Sequence, residues 1–505
     1  MRFDENGSGM SRRGFLGGMG AMMAGAAFAA AGRSTAFADE MQAEAAEGEA
    51  AAEDESAEES AAASSEMSIS STTGWSGTPE DVLALGVSTM PLEDLNEYRR
   101  QYVESQTEYT CEDGTVVPLV YVQMRALIHT YGQGVGNTPM DTSFTALMET
   151  FTEDEAQAFL DMPWGQEFTA YEFAAESGRE LEECEELCEK IANEGYMASY
   201  NGNRGTCYHQ VPYFQGVIEY QFDKVVESDY TDSSGLTLIG SDSSVDAANG
   251  GTPVFYFVPV DASVTSDGTI LAFDDLKEKV LHKNCVAIAP CACRYTALAA
   301  SVGHDNIPSF ADFATGEYED YFSELCDQRV ETCIMTGDEA EYWVSQGFAR
   351  EITPEQAVEY LQRSVDDGFM LESTFGKNSD TICSCHIDSC NILNSWASFG
   401  TAEDIAATNE FKQVSHYMLE VDTDLCIGCG TCVDRCPIRC ISINDEGWAE
   451  SAVNCFRCGQ CAYVCPQNAR HLVQRDESEL APLPQGMLED ANMKAAYRFE
   501  TGMIS

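Results

Sequence analysis

The sequence predicts an α+β protein of several domains. Apolar residues recur at helical spacing in the first folded region, helical segments accompany extended Cys-x-Cys pairs in a cysteine-rich α/β middle region, and two cysteine runs near the C-terminus repeat after 29 residues (455 minus 426). With 505 residues and a hydrophobic content of 44%, the chain can form two or three domains plus tails. We place the segments at 1–38, 39–79, 80–245, 246–417, 418–475 and 476–505, the last being a C-terminal tail.

Segment 1–38 has the three parts of a twin-arginine export signal. The hexapeptide SRRGFL at 11–16 precedes a weakly hydrophobic stretch of small residues that runs to Ala31, and 36–38 reads Ala-Phe-Ala, a cleavage site. We expect the mature chain to begin at Asp39 and to reach the periplasm or the outer face of the cytoplasmic membrane. No other stretch has the roughly 18 apolar residues of a membrane span, so we expect none in the mature chain.

The chain is strongly acidic. It has 85 acidic against 27 basic residues and a net charge of -58, which disfavours binding to nucleic acid or anionic lipid and favours solubility or the steering of a basic partner. Segment 39–79 is rich in Ala, Glu and Ser and contains neither Lys nor Arg. This composition predicts an acidic disordered linker between the signal and the folded body.

Region 80–245 has the pattern of a mainly helical domain. Helical spacing of apolar residues covers 144–151, 156–160 and 179–193, a short helix is predicted at 170–177, and a Gly-rich hairpin near 201–208 follows. This order resembles a winged helix-turn-helix. The helix at the position of a DNA-recognition helix is acidic, so the resemblance does not extend to DNA binding, and we expect a docking or packing module.

Four cysteines of this region have structural interpretations. Cys184 and Cys188 share one helix face, which favours buried core thiols over metal ligands. Cys111 and Cys207 could form a disulfide outside the cytoplasm, although nothing in their spacing requires it.

The middle region, 246–417, is rich in cysteine. On an extended strand both thiols of a Cys-x-Cys pair point to the same side, so two such pairs facing each other would make a four-thiolate site in which other cysteines could replace one ligand. Its eight cysteines are Cys285, Cys291, Cys293, Cys326, Cys333, Cys383, Cys385 and Cys390. The candidate metal ligands among them are Cys291, Cys293, Cys333, Cys383, Cys385 and Cys390.

The C-terminal runs have the spacing of cluster-binding loops. Each run has two residues between its first three cysteines, three residues before the fourth, and a proline directly after it. A tight loop of this kind brings thiolates together around an iron cluster, whereas zinc ribbons use two C-x-x-C pairs set further apart. The insert 441–453 is predicted to be a hairpin with its turn at 445–447. The runs are Cys426, Cys429, Cys432 and Cys436 before Pro437, and Cys455, Cys458, Cys461 and Cys465 before Pro466.

Residues from about Val421 to Gln474 resemble the dicluster ferredoxin fold, a small domain of two helices and two hairpins. Cys440 is extra to the family pattern, so its role stays open. The resemblance implies one four-iron four-sulfur [4Fe-4S] cluster on Cys426, Cys429, Cys432 and Cys465, and a second on Cys455, Cys458, Cys461 and Cys436.

The middle cysteines resemble those of larger bacterial proteins that carry a dicluster ferredoxin domain at the C-terminus. The matching segments are 289–294 and 382–385, with Cys333 between them. This chain departs from that group at His386, Asp388 and Ser389, which stand where the group often has cysteines. A third metal centre, either an iron-sulfur cluster or zinc, and structural thiols or disulfides are both open interpretations.

Other cofactor motifs do not occur in this sequence. Cys385-His386 is not the haem-attachment motif C-x-x-C-H, because Ile382 stands where the first cysteine would be. Neither a complete dinucleotide fingerprint, nor a phosphate loop, nor a hydrolase nucleophile elbow occurs. A flavin or substrate pocket in the middle region stays open, because such pockets often lack a short signature.

The ferredoxin resemblance implies an exported electron-transfer protein or subunit, more an electron carrier than an enzyme. Its clusters would pass single electrons to or from a redox partner, with a membrane-bound or exported oxidoreductase as the candidate. One alternative is a reductase whose catalytic centre lies in the middle region and is fed by the ferredoxin clusters. Another is a redox or metal sensor that signals through the winged-helix-like region.

Overall fold

The computed structural model describes residues 78–132, 134, 141–217, 219–221, 251–260, 273–303, 306–322, 328–398 and 401–504. The predicted export signal, nearly all of the predicted linker and Cys326 lie outside these residues. The described part mixes helices and strands in an α+β arrangement, which confirms the predicted fold class. Within it, every helix is too short or too polar to cross a bilayer.

In its described residues, the first region has seven helices and five short strands, followed by single turns at Tyr213–Val217 and Glu219–Gln221. Its elements in chain order are α1 (Pro79–Ala84), α2 (Leu92–Glu104), β1 (Tyr109–Thr110), β2 (Val116–Val117), α3 (Leu119–His129), α4 (Asp141–Thr150), α5 (Glu153–Asp161), β3 (Phe168–Thr169), α6 (Ala170–Ser177), α7 (Leu181–Asn193), β4 (Met197–Gly202) and β5 (Gly205–Gln210). The order α5, β3, α6, α7, β4, β5, with β5 central in a three-stranded sheet, has the pattern of a winged helix.

Local sequence signals set these boundaries. Thr152 and Thr169 cap α5 and α6, and in each case a glutamate three residues later completes a capping box. Gly178 ends α6 in the left-handed conformation, and Gly195 has a φ of 82° just after α7. Cys184 is fully buried on the inner face of α7, as is Cys188, in agreement with their interpretation as core thiols.

The middle region is built on one six-stranded sheet in the order β6-β10-β11-β8-β7-β9. All of its strand pairs are antiparallel. The elements are β6 (Phe255–Val258), α8 (Phe273–Leu281), β7 (Val286–Pro290), α9 (Ala292–Val302), α10 (Phe310–Phe313), β8 (Glu331–Thr336), α11 (Asp338–Ser345), β9 (Arg350–Glu351), α12 (Pro354–Asp367), β10 (Met370–Thr374), β11 (Thr381–Cys385), α13 (Asn391–Ser398), α14 (Ala402–Ala407) and α15 (Asn409–Gln413).

Four of the six strands are buried along their whole lengths, and helices pack over the sheet. Strands β6, β7, β8 and β10 have no exposed residue. Helix α12 begins with a capping box at Thr353 and ends at Gly368, whose φ is 98°. Its buried face, which includes Leu361 and Val365, belongs to the same core as Ile288. A strand buried on this scale places its occasional polar side chains in a site that water does not reach.

The two C-terminal cysteine runs lie in a small domain of short helices and strands. Its elements are β12 (Tyr417–Val421), α16 (Thr431–Arg435), β13 (Ile441–Ile443), β14 (Ala449–Ser451), α17 (Gln460–Tyr463) and β15 (Arg470–Gln474). Strand β12 pairs with β15, and β13 pairs with β14 in the predicted hairpin. Gly447 has a φ of 89° at the hairpin turn, as the predicted turn at 445–447 requires.

The C-terminal segment, predicted as a tail, contains a helical turn at Glu477–Glu479 and a long helix, α18 (Met487–Glu500). Arg498 on α18 donates to the carbonyl oxygen of His129 at 2.8 Å. Asn492 donates to the carbonyl oxygen of Gly165 at 2.7 Å. The segment therefore packs against the first region. One apolar core also includes residues of both the first and the middle regions, so the predicted boundary between them is not a break in packing.

Candidate metal centres

The two cysteine runs fold as copies of one loop. Each of α16 and α17 begins directly after a glycine in the left-handed conformation, with φ of 83° at Gly430 and 85° at Gly459. Two residues earlier, Gly428 has a φ of 61° and Arg457 a φ of 59°. A Cβ on Gly428 would lie 2.3 Å from the carbonyl oxygen of Gly447, so that position excludes a side chain. The 29-residue sequence repeat (457 minus 428) is thus a repeat of backbone conformation.

Backbone amides point at four of the cysteine sulfurs. Such N–H donors stabilise the thiolate form, and hydrogen bonds to sulfur are one determinant of cluster potential. The pairs are the amide of Cys440 with Cys436 Sγ (3.4 Å), Ala469 with Cys465 Sγ (3.3 Å), Ala449 with Cys426 Sγ (3.4 Å) and Arg457 with Cys455 Sγ (3.4 Å).

The second ligand set lies in a buried pocket between the ferredoxin-like segment and the middle region. The thiol of Cys458 is half-buried and interacts with the charges of Cys436, Cys455 and Cys461, so the structure brings the four predicted ligands together. A small cavity is lined by these cysteines. Met370 of the six-stranded sheet also lines this cavity. The second set therefore borders the middle region directly.

The first ligand set lies at the surface. Cys429 is exposed, and the thiols of Cys426 and Cys429 both act on the pKa of Cys432. The Thr431 hydroxyl lies 3.4 Å from Cys429 Sγ, and this hydrogen bond lowers the pKa of the thiol. Ile427, which lies between Cys426 and Cys429 in the sequence, is 64% exposed. An exposed cysteine beside an exposed apolar side chain is suited to contact with a protein partner.

Cys440, the cysteine without a role in the predicted pattern, lies against the second ligand set. Its Sγ is 3.7 Å from Cys436 Sγ, and it also hydrogen-bonds to Cys455. Hydrogen bonding to Cys440 lowers the pKa of Cys436 to about 6 and that of Cys455 to about 7. The same contacts raise the pKa of Cys440 itself. Cys440 is therefore the thiol that keeps its proton, beside two predicted ligands whose pKa it lowers.

All six candidate ligands of the middle region meet in one closed circuit, which we call the six-cysteine ring. Each thiol acts on the pKa of the two thiols beside it in this circuit, and Cys390 Sγ lies 3.5 Å from Cys385 Sγ. Hydrogen bonds from its neighbours hold the pKa of the Cys291 thiol well below its usual value. The order around the ring is Cys291, Cys293, Cys390, Cys385, Cys383, Cys333 and back to Cys291.

The route by which the ring forms differs in part from the expectation of two facing extended pairs. Cys383 and Cys385 do lie on β11, but Cys291 is the N-cap of α9 and Cys293 is in its first turn. Pro290 ends β7, and the chain turns at once into the helix. The expectation of a strand is therefore wrong for the first pair, although its two thiols still contact each other.

Glu372 is a ring neighbour that sequence reasoning missed. It is completely buried on β10, opposite Cys383 in the strand register, and neither carboxylate oxygen has a hydrogen bond of normal length. Burial raises its pKa to about 8, and the polar group that faces it is the Cys385 thiol. The oxygens of Glu372 and the sulfurs of Cys385 and Cys390 lie within 4.8 Å of one another. The sequence signal that could have indicated Glu372 was a single acidic residue within an apolar strand.

One buried cation accompanies the ring. Arg294 follows Cys293 on α9 and is 1% exposed. Its guanidinium donates to the carbonyl oxygen of Arg329 at 2.8 Å and to the hydroxyl of Thr332 at 3.0 Å. Its positive charge lowers the pKa of Cys291. Arg294 thus supplies fixed positive charge beside the thiols.

The ring and the second ligand set share one core. Met370 pairs with Cys385 across β10 and β11 and also lines the cavity of the second set. Cys385, Cys390 and Phe456 belong to one buried apolar cluster, with Cys458 packed against it. The two sets of cysteines are therefore separated by packed protein and not by a solvent layer.

Polar contacts fix the two parts against each other. Gln460 on α17 donates to the carbonyl oxygens of Val365 (3.1 Å) and Phe369 (2.6 Å). Arg439, next to Cys440, donates to Asp388 at 2.8 Å. Asp388 is one of the residues that stand where the resembling proteins often have cysteines, and here it serves as this anchor.

The remaining described cysteines belong neither to the two ferredoxin-like runs nor to the six-cysteine ring. All twenty cysteines that the structure describes are free, so the suggested pair Cys111 and Cys207 is not bonded. Cys207 Sγ lies 3.6 Å from the carbonyl oxygen of Gly205. Cys285 precedes β7, and its pKa is raised by burial.

The repeated loops, their left-handed positions and their converging thiols define a ferredoxin-like domain. Residues 425–469 match the model of the 4Fe-4S dicluster domain family. A probable ferredoxin of Methanosarcina thermophila is 60% identical over 30 residues, which is 6% of this chain and 52% of that relative. The chain thus spans about half the length of this curated relative. No solved structure matches the chain. The ferredoxin-like domain supports iron-sulfur electron transfer.

Proposed function

We propose that the chain is an exported iron-sulfur electron-transfer protein that passes single electrons to or from a redox partner protein. Two [4Fe-4S] clusters carry the electrons, one on Cys426, Cys429, Cys432 and Cys465, the other on Cys455, Cys458, Cys461 and Cys436. The observation that carries this proposal is the repeated loop geometry within the segment that matches the dicluster family.

The two ligand sets differ in exposure, which suggests the order of electron flow along the chain. The exposed Cys429 places the first cluster where a partner can reach it. The second cluster, around the buried Cys436 and Cys461, is the one next to the middle region. Electrons exchanged with the partner therefore pass through the first cluster, and the second connects it to the interior.

The test measures the metal content and the number of redox centres of the mature chain, which starts at Asp39 and is purified without oxygen. We expect iron and acid-labile sulfide at about four each per cluster, and electron paramagnetic resonance signals of two interacting reduced clusters. The double variant Cys426→Ala/Cys455→Ala should lose these signals. Zinc in place of iron at the eight ferredoxin cysteines would contradict the proposal.

The exported location needs its own test, on the signal alone. Residues 1–38 fused to a folded fluorescent reporter should export it, and Arg12→Lys/Arg13→Lys should retain the reporter in the cytoplasm. A host strain that lacks the twin-arginine translocase is the control. Export of the reporter in that strain would show that another route is used.

A reductase is the second candidate, and one observation favours it. The six-cysteine ring and Glu372 form a buried polar site next to the second cluster. In such an enzyme the ferredoxin clusters would feed the middle region. Substrate-dependent oxidation of the pre-reduced chain, without any added partner, is the measurement that separates a reductase from a carrier.

A further inference from the structure

We propose that the six-cysteine ring and Glu372 bind a third iron-sulfur cluster, which exchanges single electrons with the second ferredoxin cluster. The inference deepens the proposed function and rests on it for the source of electrons. It begins from the ring itself: six thiols from separate parts of the middle region converge at one place, where four of the cysteines are buried and Cys293 and Cys383 are half-buried. Packing alone does not require thiols at all six positions, since other small apolar side chains fill a core as well.

Glu372 is the second and independent sign of a ligand. A carboxyl that is completely buried without a normal hydrogen bond costs free energy, and a core of apolar residues alone would select against it. Because Glu372 lies beside Cys385 and Cys390, its carboxylate oxygen is placed to bind or face a metal held there.

The spacing of the ligand atoms favours a cluster over a single zinc ion. A zinc ion at about 2.3 Å from each of four sulfurs brings those sulfurs within about 4 Å of one another. Among the described residues, Glu372, Cys385 and Cys390 are the set of ligand atoms that lie within 4.8 Å of one another, and no four thiols of the ring do. The eight ferredoxin cysteines also form no such compact group. The ring therefore lacks the compact set of four thiols that a zinc ion needs, and its six thiols exceed the four ligands that zinc takes.

The surroundings suit a redox centre. Arg294 supplies positive charge beside Cys291 in a place that water does not reach. Met370 contacts both sides, pairing with Cys385 and lining the cavity of the second ligand set. One electron leaves the second cluster and enters the third, so the second cluster is oxidised and the third is reduced. This step needs no proton and no further reactant.

The experiment compares three forms of the full mature chain by iron, sulfide and zinc content. The unchanged chain should contain about twelve irons and no stoichiometric zinc. Cys383→Ala/Cys385→Ala should fall to about eight irons and keep the ferredoxin signals. Cys184→Ala/Cys188→Ala is the matched control, because it also removes two buried thiols, and it should keep all of the iron.

Separate outcomes distinguish this inference from the proposed function. Loss of the ferredoxin clusters in Cys426→Ala/Cys455→Ala should leave about four irons on the ring. About eight irons in the unchanged chain, with or without zinc, would overturn the third cluster and leave the proposed function intact. If the ring variant loses all of its iron by unfolding, the iron count of the unchanged chain still decides whether a third cluster is present.

Glu372→Gln tests the role of the carboxyl. The variant should keep about twelve irons and change the resonance spectrum or midpoint potential of the third cluster alone. An unchanged spectrum together with an unchanged potential would remove Glu372 from the site. The ferredoxin signals, which should not move, serve as the internal reference.

Discussion

At the scale of single residues, Cys440 shows how the two halves of the ferredoxin-like domain differ. The repeat relates position 440 to position 469, which is Ala469 (440 plus 29). Both amides donate to the fourth cysteine of their own run, at Cys436 and Cys465. Among the described residues, position 440 therefore gives the second ligand set an additional thiol, whereas Ala469 at the equivalent position has no side-chain donor.

Cys440→Ala should lower the midpoint potential of the second cluster. A donor to a ligand sulfur stabilises the more negative reduced cluster, and a net hydrogen bond of about 0.5–1.5 kcal/mol corresponds to roughly 20–60 mV for one electron. Potentiometry followed by electron paramagnetic resonance measures the change. Cys440→Ser, which keeps a donor, is the matched control. A loss of four irons in Cys440→Ala would instead show that Cys440 is a ligand.

The sequence predicted the cysteines better than their neighbours. The eight predicted ferredoxin ligands follow from the spacing of two repeated loops, whereas the candidates of the ring follow from two Cys-x-Cys pairs and the other cysteines near them. The roles of Glu372 and Cys440 did not follow, since each depends on which side chains meet across strands or loops. Strand register is a property of the folded sheet, so Glu372 opposite Cys383 could be found only in the structure.

At the scale of elements, helices were predicted where capping and periodicity agree. The helix predicted at 170–177 is found at those residues, and the one predicted at 179–193 begins two residues later, at Leu181. The turn of the chain at Pro290 was not predicted, because an apolar run that ends in Pro-Cys-Ala-Cys fits a strand or a helix start equally well. The long helix α18 was missed for a different reason: its buried face is completed by residues of the first and middle regions, far away in the sequence.

Glu339, at the start of α11, should make stability depend on pH. It accepts from the Tyr220 hydroxyl at 2.5 Å and from the Trp343 indole at 2.8 Å. Burial raises its pKa to about 7 from 4.5. The unfolded chain loses this proton near pH 4.5 and the folded chain near pH 7, so the contribution is present below pH 4.5 and is lost as the pH rises through 7. It amounts to roughly 3 kcal/mol.

Glu339→Gln should remove this part of the pH dependence. The amide oxygen can still accept from Trp343, and the amide N–H can donate to the Tyr220 hydroxyl. Melting temperatures of the metal-loaded chain between pH 4.5 and 8 are the measurement. Glu355→Gln, an exposed position on α12, is the control and should follow the unchanged chain. Parallel curves for the unchanged chain and Glu339→Gln would contradict the assignment.

At the scale of the whole molecule, the three groups of cysteines are arranged from the surface inward. The exposed Cys429 belongs to the first set, the cavity at Met370 borders the second, and the ring lies beyond it in the middle region. Helix α18 and the anchors at Gln460 and Arg439 hold these parts in place. A fixed arrangement matters for electron transfer, because the separation between centres must stay constant from one transfer to the next.

The net charge of -58 should make the cluster potentials depend on ionic strength. Acidic groups disfavour an added electron, and salt screens them, since the Debye length falls from about 30 Å at 0.01 M to about 10 Å at 0.1 M. Both ferredoxin potentials should therefore rise with added potassium chloride. The rise should be larger for the first cluster, around the exposed Cys429, because buried interactions are screened less. Potentiometry at the two salt concentrations tests this, and constant or falling potentials would show that the surface charge does not set them.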